Sequence, residues 1–326
     1  MQALPVPRSA TASRAPLHGA AAVQVELETL IAQRLAARSL VLAASRKAAT
    51  AQAGLRSSRF RGRGVDYVES RGYQPGDDIR SMDWRVTARS GKPHTKVFQE
   101  ERERSVLLLL DHAPSMRFGT RVCFKSVQAA RAAALIAWSA TRGGDRVGAL
   151  GFGSGVTGEV RPAGGARGAL HCLRALADWD AIARADVAAV AEPLSLALER
   201  TRRLARPGTL IVLLTDGFSA DTAAEAPLAR LASHGDVRIV VTTDALEMCA
   251  PPRGRYSIEV GGMRRRIDFG GSADARWTQA FEQRREILLR QARRLGAGLV
   301  TLDTRDDPAR SLAPLSLALS TRRSTG

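Results

Sequence analysis

The sequence predicts an α/β fold: a doubly wound, mostly parallel sheet with helices on both faces, preceded by an N-terminal helix and a small loop/strand insert. Two observations carry that expectation. Ser105–Leu110 (SVLLLL), Thr209–Leu214 (TLIVLL) and Val237–Thr242 (VRIVVT) are nearly continuous apolar runs, the pattern of strands buried on both faces. Stretches with helical spacing separate them, and strands alternating with such helices build a parallel sheet.

The elements follow in order. Residues 1–25 are rich in Ala, Pro and Ser and read as a disordered tail. Over residues 26–50, Leu27, Leu30, Ile31 and Leu35 recur at helical spacing and predict a helix. Residues 51–65 are Gly- and Arg-rich and lack periodicity. Over residues 66–104, Gly72, Pro75, Gly76 and Gly91 punctuate short apolar pieces, which predicts loops and short strands ending near Lys96–Phe98. After the strand at Ser105–Leu110, Val122–Arg142 is an Ala-rich helix. Arg146–Phe152 and Gly158–Arg161 read as strands joined by a Gly-rich turn. Ala166–Trp179, Leu194–Leu204 and Ala223–His234 are predicted helices, with Trp138 and Trp179 in the core. Tyr256–Val260 and Arg264–Phe269 form a hairpin through Gly261-Gly262, leaving Arg264-Arg265-Arg266 on a solvated strand face. Asp274–Leu295 is a helix, Leu299–Leu302 a strand and Pro308–Ser320 a last helix. The first helix and insert thus occupy residues 26–104, the sheet domain 105–306, and the C-terminal helix and tail 307–326.

Composition narrows the function classes. The 326 residues carry 49 Lys+Arg against 32 Asp+Glu, a net charge of +17. Only Lys47, Lys92, Lys96 and Lys125 are lysines, so the excess is almost all arginine, as in a GC-rich bacterial genome. It concentrates at residues 1–65 (ten cations, two acids) and 253–294 (eleven cations, five acids). Such basic stretches can meet nucleic acid, acidic proteins or lipid headgroups. Cys123, Cys172 and Cys249 are far apart and odd in number, which argues against a disulfide framework or zinc site and fits a reducing cytoplasm. No apolar run approaches spanning length, so only peripheral membrane contact is expected. Gly153-Ser154-Gly155-Val156-Thr157-Gly158 fits GxGxxG, but a strand follows where a dinucleotide site needs a helix, so it reads as a hairpin turn. With no P-loop, GxSxG elbow or HExxH helix either, the chain is expected not to be an enzyme.

Two strands end in aspartate, and ligands of open α/β sheets gather at strand carboxyl ends. Asp111-His112-Ala113-Pro114-Ser115 follows the first apolar run, and Thr215-Asp216-Gly217 follows the second. Oxygens converging there suit a hard cation. Equally, both aspartates can hydrogen-bond their own loop amides. The pattern resembles the von Willebrand factor A fold, whose metal-ion-dependent adhesion site has a first loop Asp-x-Ser-x-Ser, a Thr in a second loop, and an Asp, often as Thr-Asp-Gly, in a third. Asp111 and Ser115 match the ends of the first loop, and Asp216 matches the third. Ala113 replaces the middle Ser, and Val190-Ala191-Glu192-Pro193 lacks the Thr, where Glu192 offers an oxygen instead. The resemblance therefore implies a degenerate site in which Asp111, Ser115 and Asp216 are the ligands for Mg2+ or Mn2+.

Residues 62–104 carry a denser pattern: Gly62, Gly64, Asp66-Tyr67, Arg71, Tyr73, Gly76, Asp77, Asp78, Arg80, Asp83-Trp84, Ala88-Arg89 and Glu100-Glu101. This segment resembles the signature of the bacterial domain-of-unknown-function 58 family, with Asp66-Tyr67 in place of the usual Glu-Phe. Physically, Tyr73, Gly76, Asp77, Asp78, Arg80, Asp83, Trp84 and Arg89 offer either a charged, aromatic-bearing surface for a partner or a self-satisfied network. In the second case Asp bonds turn amides, Arg forks to carboxylates, and Tyr73 and Trp84 pack the insert onto the sheet. The resemblance implies a non-enzymatic protein-interaction or adaptor module working with a MoxR-type AAA+ ATPase and a client protein, in assembling or activating protein complexes. The alternative from charge alone is a basic nucleic-acid-associated protein, weakened because Phe60 is the one aromatic available for stacking in residues 1–65.

Overall fold

Strand pairing sorts the chain into three sheets. The computed structural model describes residues 19–42, 65–74, 79, 82–100, 103–185, 191–260 and 263–317. The strands are β1 (Val65–Gly72), β2 (His94–Glu100), β3 (Ser105–Asp111), β4 (Arg146–Phe152), β5 (Glu159–Ala163), β6 (Leu210–Thr215), β7 (Asp236–Thr243), β8 (Gly254–Val260), β9 (Met263–Phe269) and β10 (Gly298–Asp303). The main helices are α1 (Leu27–Ala36), α2 (Trp84–Ser90), α3 (Lys125–Arg142), α4 (Gly165–Ala185), α5 (Leu194–Leu204), α6 (Glu225–His234), α7 (Ala245–Met248) and α8 (Ser272–Leu295). Six strands make the central sheet in the order β10-β7-β6-β3-β4-β5, and β1-β2 and β8-β9 are separate hairpins. All central pairings are parallel except β4 with β5.

The predicted continuous apolar strands are buried on both sides. Val106, Leu108 and Leu110 face one core, shared with α1, α3 and α4, while Leu107 and Leu109 face the other, shared with α5, α6 and α8. Trp138 and Trp179 are buried as expected. The Gly-rich turn joins two antiparallel strands and is no dinucleotide loop: Gly153, Ser154 and Gly155 all adopt positive φ. Arg264, Arg265 and Arg266 are exposed on β9.

Some expectations are corrected. The first helix ends at Ala36 and tightens into a 3-10 turn at Ala37–Ser39, so it does not run through residues 26–50. Tertiary contacts stop it: Leu40 is buried, and its carbonyl accepts from Ser139 Oγ (2.7 Å) and Arg142 Nη2 (2.9 Å) of α3. Residues at the end of the expected tail are structured, because Ala20–Val23 is a helical turn and the buried Val25 donates its amide to Asp180. The insert holds a helix, α2, where loops and strands were expected. The final helix is broken into Pro308–Ser311 and Ala313–Leu317. The rest of the tail (1–18), the Gly261-Gly262 turn and residues 318–326 lie outside the described residues.

Candidate functional site

The strand order reverses between β3 and β6: the chain leaves β3 toward β4 and β5, then returns to β6 on the other flank. A crevice opens outside the carboxyl ends of the strands at such a switch point. Leu110 pairs with Leu214, so Asp111 ends β3 beside Thr215 and Asp216 at the end of β6. Both carboxylates are buried there.

Asp111 is saturated by short contacts. Its Oδ1 accepts from the Ala113 amide (2.8 Å), and its Oδ2 from Thr215 Oγ1 (2.7 Å) and Ser219 Oγ (2.5 Å). Burial, reinforced by the charge of Asp216, pushes its carboxyl up to about 6 against those hydrogen bonds. Asp216 accepts the Phe218 amide at Oδ1 (3.0 Å). These are the loop-amide bonds that the sequence left open beside metal ligation. Ser115 Oγ makes no hydrogen bond among the described residues, nor do His112 Nε2 and Ser154 Oγ, and all three atoms are buried. The His112 ring stands edge-on to Trp179 (6.4 Å), and burial pulls it down to about 4, opposed by the charge of Asp180.

The residue that organises the rim was not anticipated. Lys125, the first residue of α3, is wholly buried. Its Nζ donates to Asp216 Oδ2 (2.7 Å) and Glu247 Oε1 (2.5 Å) and lies 5.5 Å and 5.8 Å from the ring centroids of Phe218 and Phe118. Glu247 belongs to a capping box at the start of α7, where its Oε2 accepts the Asp244 amide (3.1 Å). Burial raises the Glu247 carboxyl, and the Lys125 charge and hydrogen bond oppose that rise. Asp244, which burial alone would raise, is held below the usual range by Thr120, Thr304 and the Leu246 amide. Helix α8 lies over this rim: Arg284 stacks on Phe218 at 3.3 Å, and Leu288 faces Gly217. Two signals were available for this cluster. Lys125 is a lysine in an arginine-rich chain, and Asp244-Ala245-Leu246-Glu247 spells a capping box.

A divalent ion does not fit this donor set as it stands. Asp216 already neutralises an ammonium, both Asp111 oxygens are engaged, and Ser115 Oγ is the one expected ligand atom left unbonded. Glu192 is committed elsewhere, paired with Arg200 at 2.7 Å.

The insert residues are placed in part. Asp83 is buried and caps α2 by accepting the Arg85 and Val86 amides (both 3.2 Å), and Ser70 Oγ donates to it (2.7 Å). Tyr73 is half-buried and donates its amide to the Pro93 carbonyl (2.9 Å). Trp84 does not pack inward: it is 64% exposed, with Ile79 63% exposed and Arg85 and Arg89 also exposed. Gly76, Asp77, Asp78 and Arg80 lie outside the described residues.

At the opposite rim, a cavity of about 960 Å³ is bordered by Arg104, Arg146, Arg161, Arg203 and Arg206 with Glu103 and Glu159. Among the described residues, no helix is long and apolar enough to cross a membrane.

A doubly wound sheet with one antiparallel edge strand and two aspartates at its switch point defines an open α/β protein. More narrowly, the chain belongs to the family described as "Protein of unknown function DUF58", whose sequence profile matches residues 69–286. Uncharacterized proteins of Mycobacterium bovis and of two Mycobacterium tuberculosis strains are each 32% identical over 249 residues, covering 76% of this chain and 77% of theirs. A von Willebrand factor type A structure from Catenulispora acidiphila aligns with 70% of this chain (TM-score 0.38, 12% identity), which spans only 43% of that longer protein. A membrane-spanning protein from Vibrio fischeri aligns with 67% of the chain over its whole length (TM-score 0.22, 15% identity).

Proposed function

We propose that this chain is a non-enzymatic interaction module that couples a client protein to a MoxR-type AAA+ ATPase. The observation that carries the reading is the exposed Trp84 on a helix held in place by the buried Asp83 cap. Trp and Arg dominate the residues that anchor protein interfaces, and here Trp84, Arg85 and Arg89 are all exposed on α2. A large apolar side chain displayed from a rigidly capped helix is a poor choice for solvent and a good one for a partner. The rim supports the non-catalytic half of the reading, because its acids are engaged in internal pairs and loop bonds. A cytoplasmic setting goes with an ATPase partner and with three unpaired thiols.

The test is capture of the full chain by a MoxR-type ATPase from the same organism. Trp84→Ala reduces capture while leaving the melting temperature unchanged. Equal capture by wild type and variant removes the reading.

The arginine-bordered cavity favours a second reading, a partner rich in phosphate such as nucleic acid. Filter binding at near-physiological salt separates the two, since only the second predicts retention of nucleic acid.

A further inference from the structure

We propose that the Lys125 ammonium is the resident cation of the β3/β6 rim, filling the charge role of a divalent ion, so that the rim keeps its shape and meets its partner without metal. Only the partner in this statement rests on the interaction-module reading. The charge substitution stands on geometry.

Three observations converge. First, Lys125 opens α3, where the positive end of the helix dipole disfavours a cation. A fully buried ammonium persists there only because Asp216 and Glu247 bracket it at 2.7 and 2.5 Å. Second, the enclosure suits an ammonium. Phe118 and Phe218 present ring faces within 6 Å, a geometry that attracts compact organic cations. Third, two protein cations already face these carboxylates. The two carboxylates face Lys125 inside, and Arg284 lies over Phe218 at the outer edge, where the charges of Asp216 and Glu247 act on it. A dication would meet one ammonium directly and one guanidinium close by.

A metal-bearing rim captures a partner carboxylate as its last ligand. Here the cation is sealed at 0% exposure, so an acidic residue of a partner cannot reach it. What the rim shows instead is Phe218, 45% exposed, with Arg284 stacked on it.

The test is Mn2+ titration of the full chain followed by electron paramagnetic resonance, with Lys125→Met beside wild type. Wild type shows no saturable uptake at millimolar metal. Lys125→Met, which frees Asp216 and Glu247, tightens Mn2+ binding by about tenfold or more. Saturable uptake by wild type overturns the proposal, as does a folded Lys125→Met with no gain. Should Lys125→Met fail to fold, the wild-type titration alone decides. Capture by the ATPase is measured in parallel with EDTA and with Mg2+. Equal capture supports the proposal, and capture that needs Mg2+ overturns it. Absence of capture in both refutes the partner reading, and the titration still decides the charge substitution.

Discussion

Replacing Lys125 by Met keeps the length and apolar stem of the side chain and deletes one charge. The ammonium sits 2.7 Å from Asp216 and 2.5 Å from Glu247, with side-chain exposures of 0%, 0% and 10%. At an effective dielectric near 20, each contact is worth about 6 kcal/mol of Coulomb attraction, most of which the desolvation of three charges offsets. What the substitution exposes is the orphaning of one fully buried and one largely buried carboxylate. Breaking such a pair from one side costs about 3–5 kcal/mol. Burial already raises Glu247 and works on Asp111 in the same sense, so the rim has little spare capacity for uncompensated negative charge. The assay is urea denaturation followed by circular dichroism, reading the midpoint at constant slope. Lys125→Met falls by about 3–5 kcal/mol, while Lys125→Met/Asp216→Asn/Glu247→Gln, which removes all three charges together, recovers most of the loss. A single variant within about 1 kcal/mol of wild type refutes a buried ammonium held by two carboxylates.

Other perturbations read the same rim and the insert. Asp111 holds its proton up to about pH 6 when folded and to 3.8 as a free, unfolded carboxyl, so its contribution is full below pH 3.8 and is lost as pH rises through 6. The stability difference between wild type and Asp111→Asn therefore shifts against wild type by about 3 kcal/mol between pH 4 and 7; a difference that is flat with pH contradicts the raised carboxyl. Gly217 has φ +86°, where an L side chain is strained, and the 2.7 Å contact a Cβ would make is with the flexible end of Leu288, so Gly217→Ala costs about 1–2 kcal/mol by denaturant midpoint, mostly from backbone strain. In the insert, Asp83→Ala loses about 1 kcal/mol with its helix cap, whereas the exposed Trp84→Ala stays within about 0.5 kcal/mol in the same assay.

The architecture was legible because its strands advertise themselves. Leu107 and Leu109 point to one core, Val106, Leu108 and Leu110 to the other, and only a doubly covered strand tolerates that run. Asp111 and Asp216 were legible for the same reason, as the polar residues that end such strands. Lys125 and Glu247 were not, because they come from the starts of two unrelated helices that the fold brings to one rim. No spacing in the sequence connects them. The short α2 escaped notice although its ends are marked: Asp83 caps it, and Gly91 closes it in the left-handed conformation. The opposite error, extending α1 to residue 50, arose because periodicity does not reveal that Leu40 must turn to dock on α3.

An ammonium sealed between two carboxylates is open to direct observation. The chain has only four lysines, so 15N-labelled lysine with Lys125→Arg as the assignment control isolates the Lys125 Nζ resonance. The hydrogens of the Lys125 ammonium exchange far more slowly than those of the exposed Lys92, and millimolar Mg2+ leaves its resonance unmoved. Exchange as fast as at Lys92, or a resonance displaced by Mg2+, contradicts the sealed ammonium.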